Sequence, residues 1–302
     1  MSNNHSHSHT TLSGKNLLIS IILNLVITIA QIIGGFISGS LSLISDAVHN
    51  FSDVVSLVIS YVANLLTNSK KQTIHYTFGF KRAEIIAAFI NAISLIIIAV
   101  FLGIEAIKRF KNPQSIESDI VIWLAILGIA VNGFSVLLLK KDAKNNLNMK
   151  SAYLHLLTDM LTSVTVLIGG LLMKYYQIYW IDAALTLVIS LYLIYISWDI
   201  LITSIKILML FAPKHIKINE VVDQVLNVEG IRNIHHVHIW QLNDKDCHFE
   251  AHIQFKKDIK LSDFDLICER VEKILLDKFQ INHCNLQPEF NRDDVKEIII
   301  QD

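Results

Sequence analysis

Leu41 to Leu66 reads LSLISDAVHNFSDVVSLVISYVANLL. It is long and apolar enough to span a bilayer, yet it carries Asp46, His49 and Asp53. An ionisable residue inside a span costs roughly 2.5–3.5 kcal/mol on insertion scales, so such residues are rare and usually functional. His49 and Asp53 are four apart, which stacks them on one face of a helix. The stretch AYLHLLTDMLTSVTVLIGG repeats the device with His155 and Asp159. Two helices that each present a His and an Asp at this spacing offer two nitrogens and two carboxylates to one divalent cation. The alternative for a single pair is a buried hydrogen bond that fixes helix packing; two matching pairs favour the metal. Asp46 shares the face of His49 and reads as structural or access-lining rather than as a ligand.

Outward from this stretch the chain divides in two. Of its 302 residues 52% are hydrophobic, too many for an ordinary soluble domain. Residues 1–211 hold fourteen Lys and Arg against ten Asp and Glu, and residues 212–302 hold twelve against seventeen. A membrane unit is followed by an acidic tail, and no basic cluster with interleaved aromatics points to nucleic acid. The periodicity predicts six spans: Leu17–Ile37, 41–66, Ile85–Ile104, Ile120–Leu139, about Ser151–Met173 and about Ile181–Leu201. At roughly 1.5 Å per residue each crosses the apolar layer. Gly34, Gly35 and Gly39 permit close packing at the end of the first. The second and fifth spans, which carry the His/Asp pairs, are the least apolar. Loops 67–83 and 140–150 each carry four Lys or Arg, more than the opposite loops, which predicts both termini in the cytoplasm.

The expected division is a polar tail over 1–16, a transport domain over 17–211 and a soluble domain over 212–302. His5, His7 and His9 alternate with Ser and read either as a weak metal-holding arm or as a disordered tail. After Pro213 the pattern predicts a short helix (Ile218–Val228), strands over Asn233–Leu242 and His248–Phe255, a helix over Leu261–Phe279 and a strand over Cys284–Phe290. A turn over Asn243-Asp244-Lys245-Asp246 joins the first two strands. This α-β-β-α-β order suits a small two-layer α+β, metallochaperone-like domain. Strand alternation places His236 and His238 opposite His235. Cys247, Cys268 and Cys284 lack CxxC spacing and read as reduced thiols.

These motifs, in this order, resemble the cation diffusion facilitator family, and its zinc-exporting branch in particular. SDAVHNFSD (Ser45–Asp53) resembles the family's second-helix motif and HYTFGFKRAEIIAAFINA (His75–Ala92) its loop into the third helix. HLLTD (His155–Asp159) resembles its fifth-helix motif, and NIHHVHIW (Asn233–Trp240) its tail signature. The resemblance implies a multi-pass homodimer in the plasma membrane that exchanges cytoplasmic Zn2+ for protons by alternating access. It implies His49, Asp53, His155 and Asp159 as transport ligands. It also implies tail ligands at His235, His252 and Glu289, with Asp265, His236, His238 and His248 as further candidates. Three departures stand out. Residues 140–150 hold no histidine, Gln31 stands where many relatives have Glu, and Leu210, Phe211 and Ala212 precede Pro213 where relatives often carry an acid. Two other readings compete. A membrane metal sensor would signal through its tail without transport. An intramembrane metallohydrolase would need an HExxH-type base, and the chain has no such pattern, so no enzymatic activity is expected.

Overall fold

The computed structural model describes residues 11–69, 77–140, 147–243, 246–293 and 295–299. His5, His7, His9, His75 and the two central residues of the Asn243–Asp246 turn lie outside the described residues. Six long helices come first: α1 (Thr11–Ser38), α2 (Leu41–Ser69), α3 (Ala83–Lys111), α4 (Ser118–Leu139), α5 (Leu147–Tyr176) and α6 (Trp180–Leu208). Among the described residues, five of them, α1 and α3–α6, are long and apolar enough to cross a membrane, and α5 is the least apolar of the five. α2 has 29 residues of helix, about 43 Å at ~1.5 Å per residue. Its described side chains stop at Val55 and include the polar run Ser45, Asp46, His49, Asn50, Ser52 and Asp53.

Several helices outrun their apolar cores. α3 continues to Lys111, seven residues beyond the expected end, with Lys108, Arg109 and Lys111 in its last turn and Glu84 in its first. These charges suit the two ends of the helix dipole. α1 likewise begins at Thr11 rather than Leu17.

The chain packs as two compact units. One comprises the chain up to Ile59 together with Ile90–Asp199, and the other Ser60–Phe89 with Ile200–Asp302. In the first, α4 packs against α5 and α1. Gly34 admits the Leu124 side chain and Gly35 admits Ile44, both at distances a Cβ would forbid. Gly39 turns the chain between α1 and α2 at φ +72°, a conformation that favours glycine. Its carbonyl accepts from Arg109. Asp182 of α6 closes the same corner. Its buried carboxylate accepts from the Leu41 N–H (2.8 Å), the Ser42 N–H (3.2 Å) and the Ser40 and Ser42 hydroxyls (2.6 Å each). The opening N–H groups of α2 have no partner within their own helix, and an acid from another helix supplies one.

In the second unit α7 (Ile218–Leu226), β1 (Ile231–Gln241), β2 (Cys247–Phe255), α8 (Leu261–Phe279) and β3 (His283–Glu289) follow in the expected order. The sheet runs β1-β2-β3, with β1 antiparallel and β3 parallel to β2. Helices α7 and α8 pack over a core that includes Val221, Val225, Phe249, Ile253, Val271 and Leu275. The β1–β2 register shifts between Ile231 and Asn233 and again between His235 and His238, where His236 adopts φ 53°. Within this unit Lys81 Nζ pairs with Asp246 Oδ2 at 3.0 Å.

Candidate metal centres

His49 and Asp53 project from α2, and His155 and Asp159 from α5. Their atoms close a ring of alternating acid and base. His49 Nε2 lies 3.7 Å from Asp53 Oδ2 and 3.7 Å from Asp159 Oδ1. His155 Nε2 lies 3.2 Å from the same Asp53 oxygen and 3.5 Å from Asp159 Oδ2. The imidazoles meet edge to face with centroids 6.0 Å apart. Ligand atoms of His49, Asp53 and His155 all fall within 4.8 Å of one another, and Asp159 reaches the two imidazoles without joining that tighter trio. Asp159 is fully buried, and among the described residues neither of its oxygens takes a hydrogen bond. A buried carboxylate in that condition is costly unless a cation faces it. Two nitrogens and two carboxylates form a donor set that suits a tetrahedral borderline metal such as zinc better than magnesium or calcium, which take oxygen alone.

Asp46 does not join the ring. Its Oδ2 accepts from Gln31 Nε2 at 3.0 Å, and its Oδ1 lies 2.9 Å from Thr162 Oγ1. The Thr162 hydroxyl also lies 2.8 Å from the Asp159 carbonyl. Asp46 therefore ties α1, α2 and α5 together beside the ring. Gln31, Thr162 and Tyr192, whose ring lies 6.4 Å from that of His49, are neighbours of the site that no sequence pattern marks as such. In the sequence Gln31 stands out only as a departure from the family pattern.

The tail brings a second group together. His235 and His252 are cross-strand partners on β1 and β2, and Glu289 closes β3 opposite Gln254. His235 Nε2 lies 3.1 Å from Glu289 Oε2, and His252 Nδ1 lies 2.9 Å from Glu289 Oε1. The three residues offer ligand atoms within 4.8 Å of one another. Burial holds the His252 imidazole below its usual pKa despite the pull of Glu289, so it is neutral and able to ligate at neutral pH. His236 corrects the expectation from alternation. The bulge swings its ring onto His252, stacked at 4.6 Å and 19°, instead of onto the opposite face. His238 meets His236 edge-on at 4.9 Å. His248 stacks on Trp240, lies beside His283 and is not one of the trio. Asp265 is exposed on α8 and is not part of the group.

Long span-forming helices, a ring of His and Asp between α2 and α5, and a small α+β tail define a polytopic helical membrane protein built to handle a divalent cation. The chain belongs to the cation efflux family: the description "Cation efflux transmembrane domain" matches residues 17–209, and "Cation efflux protein, cytoplasmic domain" matches residues 213–290. It is 35% identical over 288 residues to the cadmium, cobalt and zinc/H(+)-K(+) antiporter of Bacillus velezensis, covering 94% of this chain and 91% of that one. It is 34% identical to the zinc transporter ZitB of Pectobacterium atrosepticum, covering 97% and 91%. It is 32% identical to the metal cation efflux system protein CzcD of Cupriavidus metallidurans, covering 94% and 89%.

Proposed function

We propose that this protein is a zinc/proton antiporter that exports divalent metal from the cytoplasm by alternating access. The observation that carries the reading is the ring of His49, Asp53, His155 and Asp159. Two carboxylates cancel the charge of a divalent ion where the dielectric is low. Two imidazoles ligate only when neutral, so a bound metal expels protons and incoming protons expel the metal. The ring draws two ligands from each of two helices. A relative movement of α2 and α5 would break the tetrahedral set, so the ion binds in one arrangement and leaves in another. Relatives with zinc, cadmium, cobalt and protons in their names support this metal class, with zinc first.

In this reading the protein sits in the plasma membrane with both termini in the cytoplasm. It works as a homodimer, and its tail serves dimerisation and metal sensing through His235, His252 and Glu289. Transport rather than catalysis is its activity.

The test is reconstitution in vesicles that hold a pH dye and a zinc reporter. The parent protein should take up zinc at the expense of an outward proton gradient. Asp159→Ala should lower the rate about 100-fold or more, at or beyond the effect of losing an outer-shell partner. Zinc binding without flux in the parent would favour a sensor. Undiminished flux in the variant would remove the ring from the transport path.

A further inference from the structure

The chain continues beyond residue 290, where the match to the family's cytoplasmic domain ends, and it returns to the tail site. The β1 bulge provides the landing place. His236 and Val237 fall where the β1–β2 pairing slips, and their N–H groups donate instead to the carbonyls of Glu297 (3.2 Å) and Ile298 (2.8 Å). Residues 295–299 thus lie across the bulge as a strap. The strap delivers Lys296, whose Nζ lies 3.0 Å from Glu289 Oε2 and 3.3 Å from His235 Nε2. These two atoms are themselves 3.1 Å apart and are the ones the trio turns toward each other. Arg292 adds Nη1 at 3.3 Å from the other Glu289 oxygen.

The chemistry of that placement is specific. The Glu289 side chain is 1% exposed, and a buried carboxylate requires a counter-charge. An ammonium supplies a charge and three hydrogen-bond donors but no ligand. A metal held at roughly 2 Å by the same carboxylate and imidazole would meet the ammonium within a few ångströms, two cations on the same lone pairs. Metal and Lys296 therefore exclude each other. We propose that Lys296 is a tethered cation that competes with metal for the His235–His252–Glu289 site, so that metal binding ejects Lys296 and releases the C-terminal strap. The proposal rests on the reading of that trio as a metal site. It gives the tail a metal threshold set by its own chain. The apparent dissociation constant is the intrinsic one divided by the fraction of molecules with the strap undocked, so a strap docked nine-tenths of the time weakens binding about tenfold.

The test uses the full chain in detergent, with zinc alone as the probe, titrated against a competing fluorescent chelator. Lys296→Met keeps most of the stem and removes the charge; a chain ended at Arg292 removes the strap. Both should bind zinc at the tail about tenfold more tightly than the parent. His252→Ala should remove this component from all three. Hydrogen exchange supplies a readout apart from affinity: zinc should speed exchange at His236 and Val237 in the parent and leave it unchanged in His252→Ala. Equal tail affinity in parent and Lys296→Met, with exchange at His236 and Val237 unmoved by zinc, would overturn the competition while leaving the site standing. If His252→Ala costs no bound zinc in any variant, the trio is not a metal site and the proposal falls with it.

Discussion

Replacing Asp182 with Ala should loosen the start of α2, the helix that carries half of the ring. Four donors converge on this carboxylate. Two are serine hydroxyls with other partners: the Ser40 and Ser42 oxygens are 3.2 Å apart, and Ser40 Oγ also lies 3.2 Å from the Leu43 N–H. The loss therefore rests on the Leu41 and Ser42 N–H groups, which are buried and lose their acceptor. At ~1.5–3 kcal/mol for each hydrogen bond to a charged group, two of them amount to about 3–6 kcal/mol. Asp182→Asn keeps one carbonyl oxygen at the corner and should cost roughly half of that. The displacement is felt at Asp46 and His49, one and two turns further along α2. Thermal unfolding in detergent, followed by tryptophan fluorescence, should rank the parent above Asp182→Asn and that above Asp182→Ala, with zinc uptake falling in the same order. An Asp182→Ala protein that unfolds with the parent and transports at its rate would refute the reasoning, because it would mean that water or the serines satisfy the helix start equally well.

Gly34→Val would drive a side chain into the space Leu124 now fills between α1 and α4, an overpacking that costs about 1–3 kcal/mol. A drop in unfolding temperature, partly restored by Leu124→Ala, would show that the contact is the cause. Burial raises the thiol pKa values of Cys247 and Cys268 to about 11 and of Cys284 to about 12. Thiolate is therefore scarce at neutral pH, and iodoacetamide should label the native tail slowly at pH 7.5 and rapidly once it is unfolded, as read by mass spectrometry.

What the sequence makes legible here is what is local or costly. Charged residues in apolar spans stand out against their surroundings, so the sequence singles out His49, Asp53, His155 and Asp159, and their four-residue spacing gives the face. The tail followed from alternation and turn chemistry. The misses have a common physical form. Asp182 serves Ser40 and Ser42 from about 140 residues away, and no periodicity connects them. Gln31 and Thr162 join Asp46 from two other helices and carry no charge to draw attention. Alternation puts His236 on the wrong face because it assumes an unbroken ladder, and the bulge breaks it. No pattern in the sequence sets Lys296 apart from the other charges of the acidic tail. Its meaning depends on the same bulge, which leaves two backbone donors for the strap to take.

That strap has a consequence for how copies of the tail tolerate one another. With the strand order β1-β2-β3, the sheet has two outer edges, and an open edge is a template onto which a strand from another molecule can add. On one side Pro288 sits within β3 and has no N–H to offer a newcomer. On the other, the strap already occupies the backbone donors of His236 and Val237 in the middle of β1. Both borders are therefore blunted against edge-to-edge growth. This matters for a domain tethered to a membrane, where neighbouring copies meet at high local concentration in two dimensions.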